Sequence, residues 1–164
     1  MSAVAPYDGS VEIAALAESE LDSIRPLLIE LLAQDAAPTP TLGLRHRLDA
    51  TLPRTRATFV GENHVFAARS SGNVLGFCWC VLFDPGTGLE GEVAELYVHP
   101  DARGQGLATR LLREATRLFR QRQVTFASVW TDHDNRPAVS AYLDAGFAPT
   151  RQLVLTWDPE HGRG

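Results

Sequence analysis

The stretch Glu95-Leu96-Tyr97-Val98-His99-Pro100-Asp101-Ala102-Arg103-Gly104-Gln105-Gly106-Leu107-Ala108 decides how this chain is interpreted. It begins as an apolar strand, passes through a glycine-rich turn and opens an amphipathic helix that extends to about Gln121. Gly104 and Gly106 let backbone N–H groups approach a ligand without obstruction by a Cβ atom. Because the positive end of the helix dipole lies at the same place, the turn indicates either a site for a diphosphate or a plain strand-to-helix turn that uses glycine for tightness.

The basic residues of the chain are compatible with a phosphate site made of backbone N–H groups, and they exclude chemistry that depends on lysine. All 15 basic residues among the 164 are arginines. The absence of lysine excludes a lysine Schiff base, lysine-bound pyridoxal phosphate and the lysine of the G-x-x-x-x-G-K-[ST] phosphate loop. The net charge of −5 argues against nucleic-acid binding and favours a cationic small substrate.

The cysteines and the N-terminal residues indicate a protein of the reducing cytoplasm. Cys78 and Cys80 lie two residues apart on a predicted strand and so share a face, where a disulfide between them would be strained. We expect buried free thiols. The N-terminus lacks the cationic and apolar segments of a secretory signal, and no stretch has the roughly 20 apolar residues of a membrane span. We therefore expect a cytoplasmic protein with no membrane partner.

Hydrophobic periodicity predicts one domain over residues 1–164, with its core at about 10–157. The predicted strands occupy the ranges 11–16, 64–69, 74–83, 93–98, 124–130 and 152–157. The turn residues Ser70-Ser71-Gly72-Asn73 predict that the second and third of these strands form a hairpin. A first helix is predicted from an N-cap at Ser19 to about Gln34, with Pro26 kinking or restarting it. Further helices are predicted over 42–52, 107–121 and 137–145. These elements predict an α/β or α+β fold with a mixed sheet, three consecutive antiparallel strands and helices on both faces.

A second glycine motif, Gly86-Thr87-Gly88-Leu89-Glu90-Gly91, matches the dinucleotide pattern G-x-G-x-x-G. That pattern is informative only between a strand and a helix, and here it precedes a strand. We interpret it as a hairpin loop, and nucleotide binding remains a lesser alternative.

The stretch that opens this section resembles the acyl-coenzyme A signature [RQ]-x-x-G-x-[GA] of the GNAT superfamily of N-acetyltransferases. Arg103, Gly106 and Ala108 occupy its fixed positions. A second signature on the following helix is matched by Asn135, Ala138, Tyr142, Gly146 and Phe147. The resemblance covers 92–148 by motif and 10–157 by element order. It implies a mostly antiparallel central sheet of six to seven strands with helices on both faces.

The resemblance also implies acetyl-coenzyme A as cosubstrate and no metal. The backbone of Leu96, Tyr97 and Val98 would pair with the pantetheine arm as an added strand does. The pyrophosphate would bind the loop formed by Arg103, Gly104, Gln105, Gly106, Leu107 and Ala108. Asn135 would contact the coenzyme, and its position before Pro137 also predicts a helix N-cap. The segment Asp132-His133-Asp134 is interpreted as a solvated turn, because three adjacent residues cannot all converge on one ion.

Amide formation needs a neutral amine, a polarised carbonyl and a proton for the departing thiolate. By resemblance, Tyr142 protonates the coenzyme sulfur. For the base we favour Glu95 over Glu92, because an offset of three in a regular strand places them on opposite faces. Glu95 would then share a face with Tyr97, while Leu96 and Val98 point to the core. A bulge in this strand would overturn that argument.

These features predict a single-domain enzyme that moves an acetyl group from acetyl-coenzyme A to a primary amine of a small cationic molecule, by direct attack in a ternary complex. The alternatives are a coenzyme-binding sensor without turnover and the acetylation of a protein amine. Acceptor contacts are expected from the first two helices and from the loop containing Pro38 and Pro40. Analogy with the superfamily suggests a homodimer.

Overall fold

The computed structural model describes residues 10–36 and 60–151. Five strands form one sheet in the order β1-β2-β3-β4-β5. They are β1 Glu12–Ala15, β2 Glu62–Ser70, β3 Asn73–Phe83, β4 Glu90–Val98 and β5 Phe126–Val129. The α-helices are α1 Arg25–Ala36, α2 Leu107–Gln121 and α3 Arg136–Asp144, with 3-10 helices at Glu18–Ile24 and Pro100–Ala102.

Strand pairing is antiparallel from β1 to β4 and parallel between β4 and β5. The predicted mixed fold and its consecutive antiparallel strands are confirmed. The described sheet has five strands where six to seven were expected, and the strand predicted at 152–157 lies outside the described residues. The helix predicted at 42–52 and the loop with Pro38 and Pro40 also lie outside them. None of the described helices is long and apolar enough to cross a membrane.

The hairpin between β2 and β3 is built by local chemistry. Ser71 and Gly72 form its two-residue turn with φ angles of 49° and 78°. Two consecutive residues with positive φ make the turn that suits the right-handed twist of paired strands. The hairpin predicted from these turn residues is therefore confirmed.

Two apolar cores lie on opposite faces of the sheet. On one side, α2 and α3 cover Cys78, Cys80 and Leu96; we call this side the α2–α3 face. On the other side, α1 and the 3-10 helix before it cover Phe77 and Trp79; we call this side the α1 face. Helices on both faces are confirmed. Cys78 and Cys80 are buried free thiols with their sulfurs 3.7 Å apart, as expected for residues two apart on one strand.

The start of the first helical segment differs from the prediction of an N-cap at Ser19. The 3-10 helix begins two residues earlier than that cap predicts, and Ala17 holds the N-cap position. The carboxylate of Glu20 accepts a hydrogen bond from the Ala17 N–H at 3.0 Å, so an acidic side chain inside the turn replaces the predicted serine cap. The α-helix proper restarts at Arg25, where Pro26 is tolerated because the first-turn N–H groups need no helical acceptor.

Candidate functional site

The candidate site is the place where β4 and β5 separate. Their parallel pairing runs from Glu90–Phe126 to Val93–Val129 and ends there. At the same level, β4 carries a bulge: Val93 pairs with Cys80 and Glu95 with Trp79, so Ala94 has no counterpart on β3. Within the described residues, no strand pairs with the 94–98 half of β4 on the β5 side. We call this opening the β4–β5 gap.

The bulge changes where the two candidate bases point. Glu92 pairs with Val81 and Glu95 with Trp79, and both partners belong to the core on the α1 face. Directly paired residues of antiparallel strands share a face, so both glutamates lie on the α1 face. The prediction that they lie on opposite faces is wrong. Because the bulge adds one residue at Ala94, Glu92 and Glu95 lie on the same face, as residues two apart do in a regular strand. Both side chains are partly buried.

The remaining residues of this half-strand alternate as predicted. Tyr97 pairs with Phe77 on the α1 face, while Leu96 and Val98 pack against the core on the α2–α3 face. Tyr97 is buried, and its ring lies 6.4 Å from that of Phe77. Its side chain is therefore committed to packing, and only its backbone is available to a coenzyme.

The glycine-rich turn links the end of β4 to the start of α2. Gly104 and Gly106 have φ angles of 76° and 70°, in the left-handed region that favours glycine. A Cβ atom placed at either glycine would meet no atom within 4 Å, so the space in front of the turn is open. Gly106 is the N-cap of α2, and the first N–H groups of α2, those of Leu107 and Ala108 among them, have no acceptor within the helix. The turn thus presents backbone donors and the helix dipole to an open surface.

Arg103 fastens this turn to the strand. Its Nε donates a hydrogen bond to the carbonyl of Val98 at 3.0 Å, and its guanidinium carbon lies 5.8 Å from the centre of the Tyr97 ring. These contacts give the Arg103 side chain a structural role in the turn. Gln105 is exposed between the two glycines.

Tyr142 lies on α3 and points into the core on the α2–α3 face. Its residue is 9% exposed and its ring meets that of Phe147 edge-on at 5.9 Å. Within the described part of the chain its hydroxyl has no hydrogen-bond partner. Burial, with smaller contributions from the charges of Cys78 and Glu95, raises the pKa of Tyr142 from 10.0 to about 12. Tyr142 therefore keeps its proton at neutral pH.

Glu30 is a site neighbour that the sequence analysis missed. It lies on α1, and its carboxylate accepts a hydrogen bond from the Tyr97 hydroxyl at 2.9 Å. The same carboxylate oxygen is 3.9 Å from Nε2 of His99, whose Nδ1 accepts a hydrogen bond from the Asp101 N–H at 3.2 Å. Glu30 is the one charged side chain in the apolar run Leu27–Leu32. A single charge among apolar residues is the feature of the sequence that could have identified it.

Other predicted residues have local structural roles. The side chain of Asn135 accepts a hydrogen bond from the Ala138 N–H at 3.4 Å and caps α3, so the predicted N-cap is confirmed. Asp132 accepts a hydrogen bond from the Asp134 N–H at 2.9 Å, which forms a turn. The glycine motif that begins at Gly86 leads from a loop into β4, as the hairpin-loop interpretation predicts.

Comparison with known proteins finds a matching family and several relatives. The sequence model described as "Acetyltransferase (GNAT) family" matches residues 29–147. A mycothiol acetyltransferase of Thermobifida fusca is 39% identical over 84 residues, which are 48% of this chain and 26% of the relative. A mycothiol acetyltransferase of Arthrobacter sp. is 32% identical over 126 residues, 75% of this chain and 38% of the relative. The chain thus spans between a quarter and two fifths of the length of these relatives.

A solved structure agrees at the level of the fold. An aminoglycoside N-acetyltransferase in complex with CoA superposes with a TM-score of 0.63 at 16% identity, over 90% of this chain and 98% of that protein. At that identity the likeness concerns the fold alone.

Proposed function

Because the chain belongs to the acetyltransferase (GNAT) family, we propose that it transfers the acetyl group of acetyl-coenzyme A to a primary amine of a small cationic molecule, by direct attack in a ternary complex. The observation that carries the proposal is the β4–β5 gap. Two partly buried carboxylates lie beside it on one face of the sheet, and a protonated tyrosine lies on the other.

The chain's own residues fit the coenzyme. The open turn at Gly104 and Gly106, with the N–H groups at the start of α2, suits the pyrophosphate. Arg103, Gln105, Leu107 and Ala108 complete that loop. The edge of β4 at Leu96, Tyr97 and Val98 offers backbone groups to the pantetheine amides. Asn135 stands at the start of α3, which carries Tyr142, and in the proposal it contacts the coenzyme beside its capping role.

In the proposed reaction the amine enters from the α1 face as an ammonium ion and gives a proton to Glu95, or to Glu92, on the same face. Its nitrogen then bonds to the acetyl carbon. As the carbon–sulfur bond breaks, Tyr142 donates its proton to the sulfur and the product is the coenzyme thiol. The second proton of the attacking nitrogen restores the tyrosine. The net products are the amide, the free thiol and one proton, so the reaction balances.

The acceptor class is supported by charge and by the relatives. The chain carries a net charge of −5, and carboxylates on the acceptor side attract a cation. The relatives named above are enzymes for mycothiol and for aminoglycosides, which are small molecules. In the proposal the protein works in the cytoplasm, where acetyl-coenzyme A is made.

The test has two stages. Thermal unfolding with and without acetyl-coenzyme A measures binding, with NAD as the control ligand. Thiol release is then followed with an aromatic disulfide reagent, which the released thiol cleaves, against a panel of amines that includes polyamines, aminoglycosides, amino acids and a lysine peptide. We expect stabilisation by acetyl-coenzyme A and thiol release with at least one small cationic amine. Stabilisation without release for any amine would favour the sensor, and stabilisation by NAD alone would overturn the proposal.

A further inference from the structure

Trp130 is an exposed indole next to the candidate site. It follows the last residue of β5 and is 62% exposed. Exposed apolar residues that are scattered singly need no explanation. An exposed tryptophan leaves more apolar area in water than other single residues do, because its ring is the largest of the side chains. Its place in the fold decides whether it has a role.

Strand pairing puts Trp130 at the mouth of the β4–β5 gap. Val129 is the last residue of β5 that pairs with β4, and Trp130 comes immediately after it. Ser128 pairs with Glu92, which lies on the α1 face. Side chains two apart on a strand share a face, so the indole is on the α1 face as well. It stands roughly 7 Å beyond the Glu92–Ser128 pair, level with Ala94 and Glu95.

On this face, β4 presents one more carboxylate than the proposed reaction uses as a base. Deprotonating one amine requires one base, yet the bulge at Ala94 brings both Glu92 and Glu95 to the α1 face. An indole face attracts an organic cation through its quadrupole, and tryptophan is the strongest aromatic partner for one. An indole together with a carboxylate forms a site for a cation that does not react.

We propose that Trp130 binds a second ammonium group of the acceptor, so that the preferred substrates carry at least two amines. This inference rests on the proposed function. The glutamate that does not serve as base supplies the counter-charge, and the indole covers the ammonium. Trp130 determines specificity in this scheme and takes no part in proton transfer.

The experiment compares matched amines on matched variants. Butane-1,4-diamine and butylamine have the same chain length and differ by one ammonium group. We would measure kcat/KM for both with the wild type, Trp130→Leu and Trp130→Phe. Phe126→Leu is the control, because Phe126 is 48% exposed at the other end of the same strand.

We expect Trp130→Leu to lower kcat/KM for the diamine about tenfold, the range of a cation–π contact, with a smaller loss in Trp130→Phe. The value for butylamine, the KM for acetyl-coenzyme A and all values of Phe126→Leu should change less than about twofold. Equal losses for both amines, or no loss for the diamine, would overturn the proposal.

If the wild type acetylates neither amine, calorimetric titration of the diamine into the protein saturated with acetyl-coenzyme A tests the cation site separately. Binding by the wild type that Trp130→Leu weakens about tenfold supports the site even though turnover fails. Equal binding, or none, to both proteins rejects it.

Discussion

The replacement Tyr142→Phe separates a catalytic hydroxyl from a structural ring. The ring is 9% exposed and packs edge-on against Phe147, and phenylalanine keeps that packing. Since the hydroxyl has no hydrogen-bond partner within the described part of the chain, its removal leaves no buried group unsatisfied. We expect the free energy of unfolding to change by less than about 0.5 kcal/mol.

The expected catalytic effect is much larger. A positioned general acid contributes roughly 10²–10⁴ in rate, which is about 2.7–5.4 kcal/mol of transition-state free energy. Single-turnover thiol release should slow by that factor, while the KM for acetyl-coenzyme A stays within about threefold. A loss of less than about threefold in rate, with normal stability, would remove Tyr142 as the acid.

The pKa of Tyr142 supplies a second measurement. A folded-state pKa of about 12 against an ordinary 10.0 means that the native state holds this proton more tightly than the unfolded chain. The resulting stability is present below pH 10 and is lost as the pH rises towards 12. Alkaline unfolding of the wild type should therefore be steeper in that window than that of Tyr142→Phe. Parallel curves would show that the hydroxyl is not shielded from solvent.

Tyr97→Phe is the matched contrast for stability. Its hydroxyl donates to Glu30 at 2.9 Å in a partly buried position. Removing it should lower the free energy of unfolding by about 1 kcal/mol, where Tyr142→Phe lowers it hardly at all.

Three further predictions address the base, the glycine turn and a surface ion pair. Glu95→Gln should lower kcat/KM for the amine by about 10²-fold or more, and a larger loss in Glu92→Gln would assign the base to that residue instead. Gly106→Ala forces a side chain into a φ of 70°, which should cost about 1 kcal/mol in urea unfolding and raise the KM for acetyl-coenzyme A. The hydrogen bond from Arg122 lowers the pKa of Glu62 from 4.5 to about 2. The stability from this pair is present above pH 4.5 and is lost as the pH falls to 2. Arg122→Gln should therefore make acid unfolding shallower in that window, and an unchanged slope would show that the exposed pair contributes nothing.

The parts of the fold that local chemistry determines could be predicted from the sequence. The β2–β3 turn needs residues that accept positive φ, and Gly72 marks it in the sequence. The turn before α2 has the same need, and Gly104 and Gly106 mark it. The start of the 3-10 helix was missed because a side chain three residues ahead, that of Glu20, satisfies the cap in place of Ser19. Alternative N-cap positions differ little in free energy, and tertiary packing contributes more than that difference. The sequence alone therefore does not select the residue at which the helix begins.

Contacts between residues distant in the sequence, and the exact register of the strands, could not be predicted. The partner of Glu30 is a tyrosine 67 positions away, and periodicity carries no information on such pairs. The bulge at Ala94 is visible only in the register of β4 against β3. Nothing in the sequence around Ala94 marks an extra residue, since alanine is neither a glycine with positive φ nor a break in the apolar pattern.

The bulge keeps the carboxylates of β4 out of the apolar core on the α2–α3 face. Without it, one of the two glutamates would point into the α2–α3 face, where Leu111, Leu112 and Ala115 are fully buried. An unpaired carboxylate in that core would cost several kcal/mol. The extra residue at Ala94 avoids this cost, and at the same level the pairing between β4 and β5 ends. The bulge thus keeps both acids on the α1 face, at the level where the sheet opens beside them. In the proposed reaction the amine is therefore deprotonated on one face of β4, while the leaving sulfur is protonated by Tyr142 on the other.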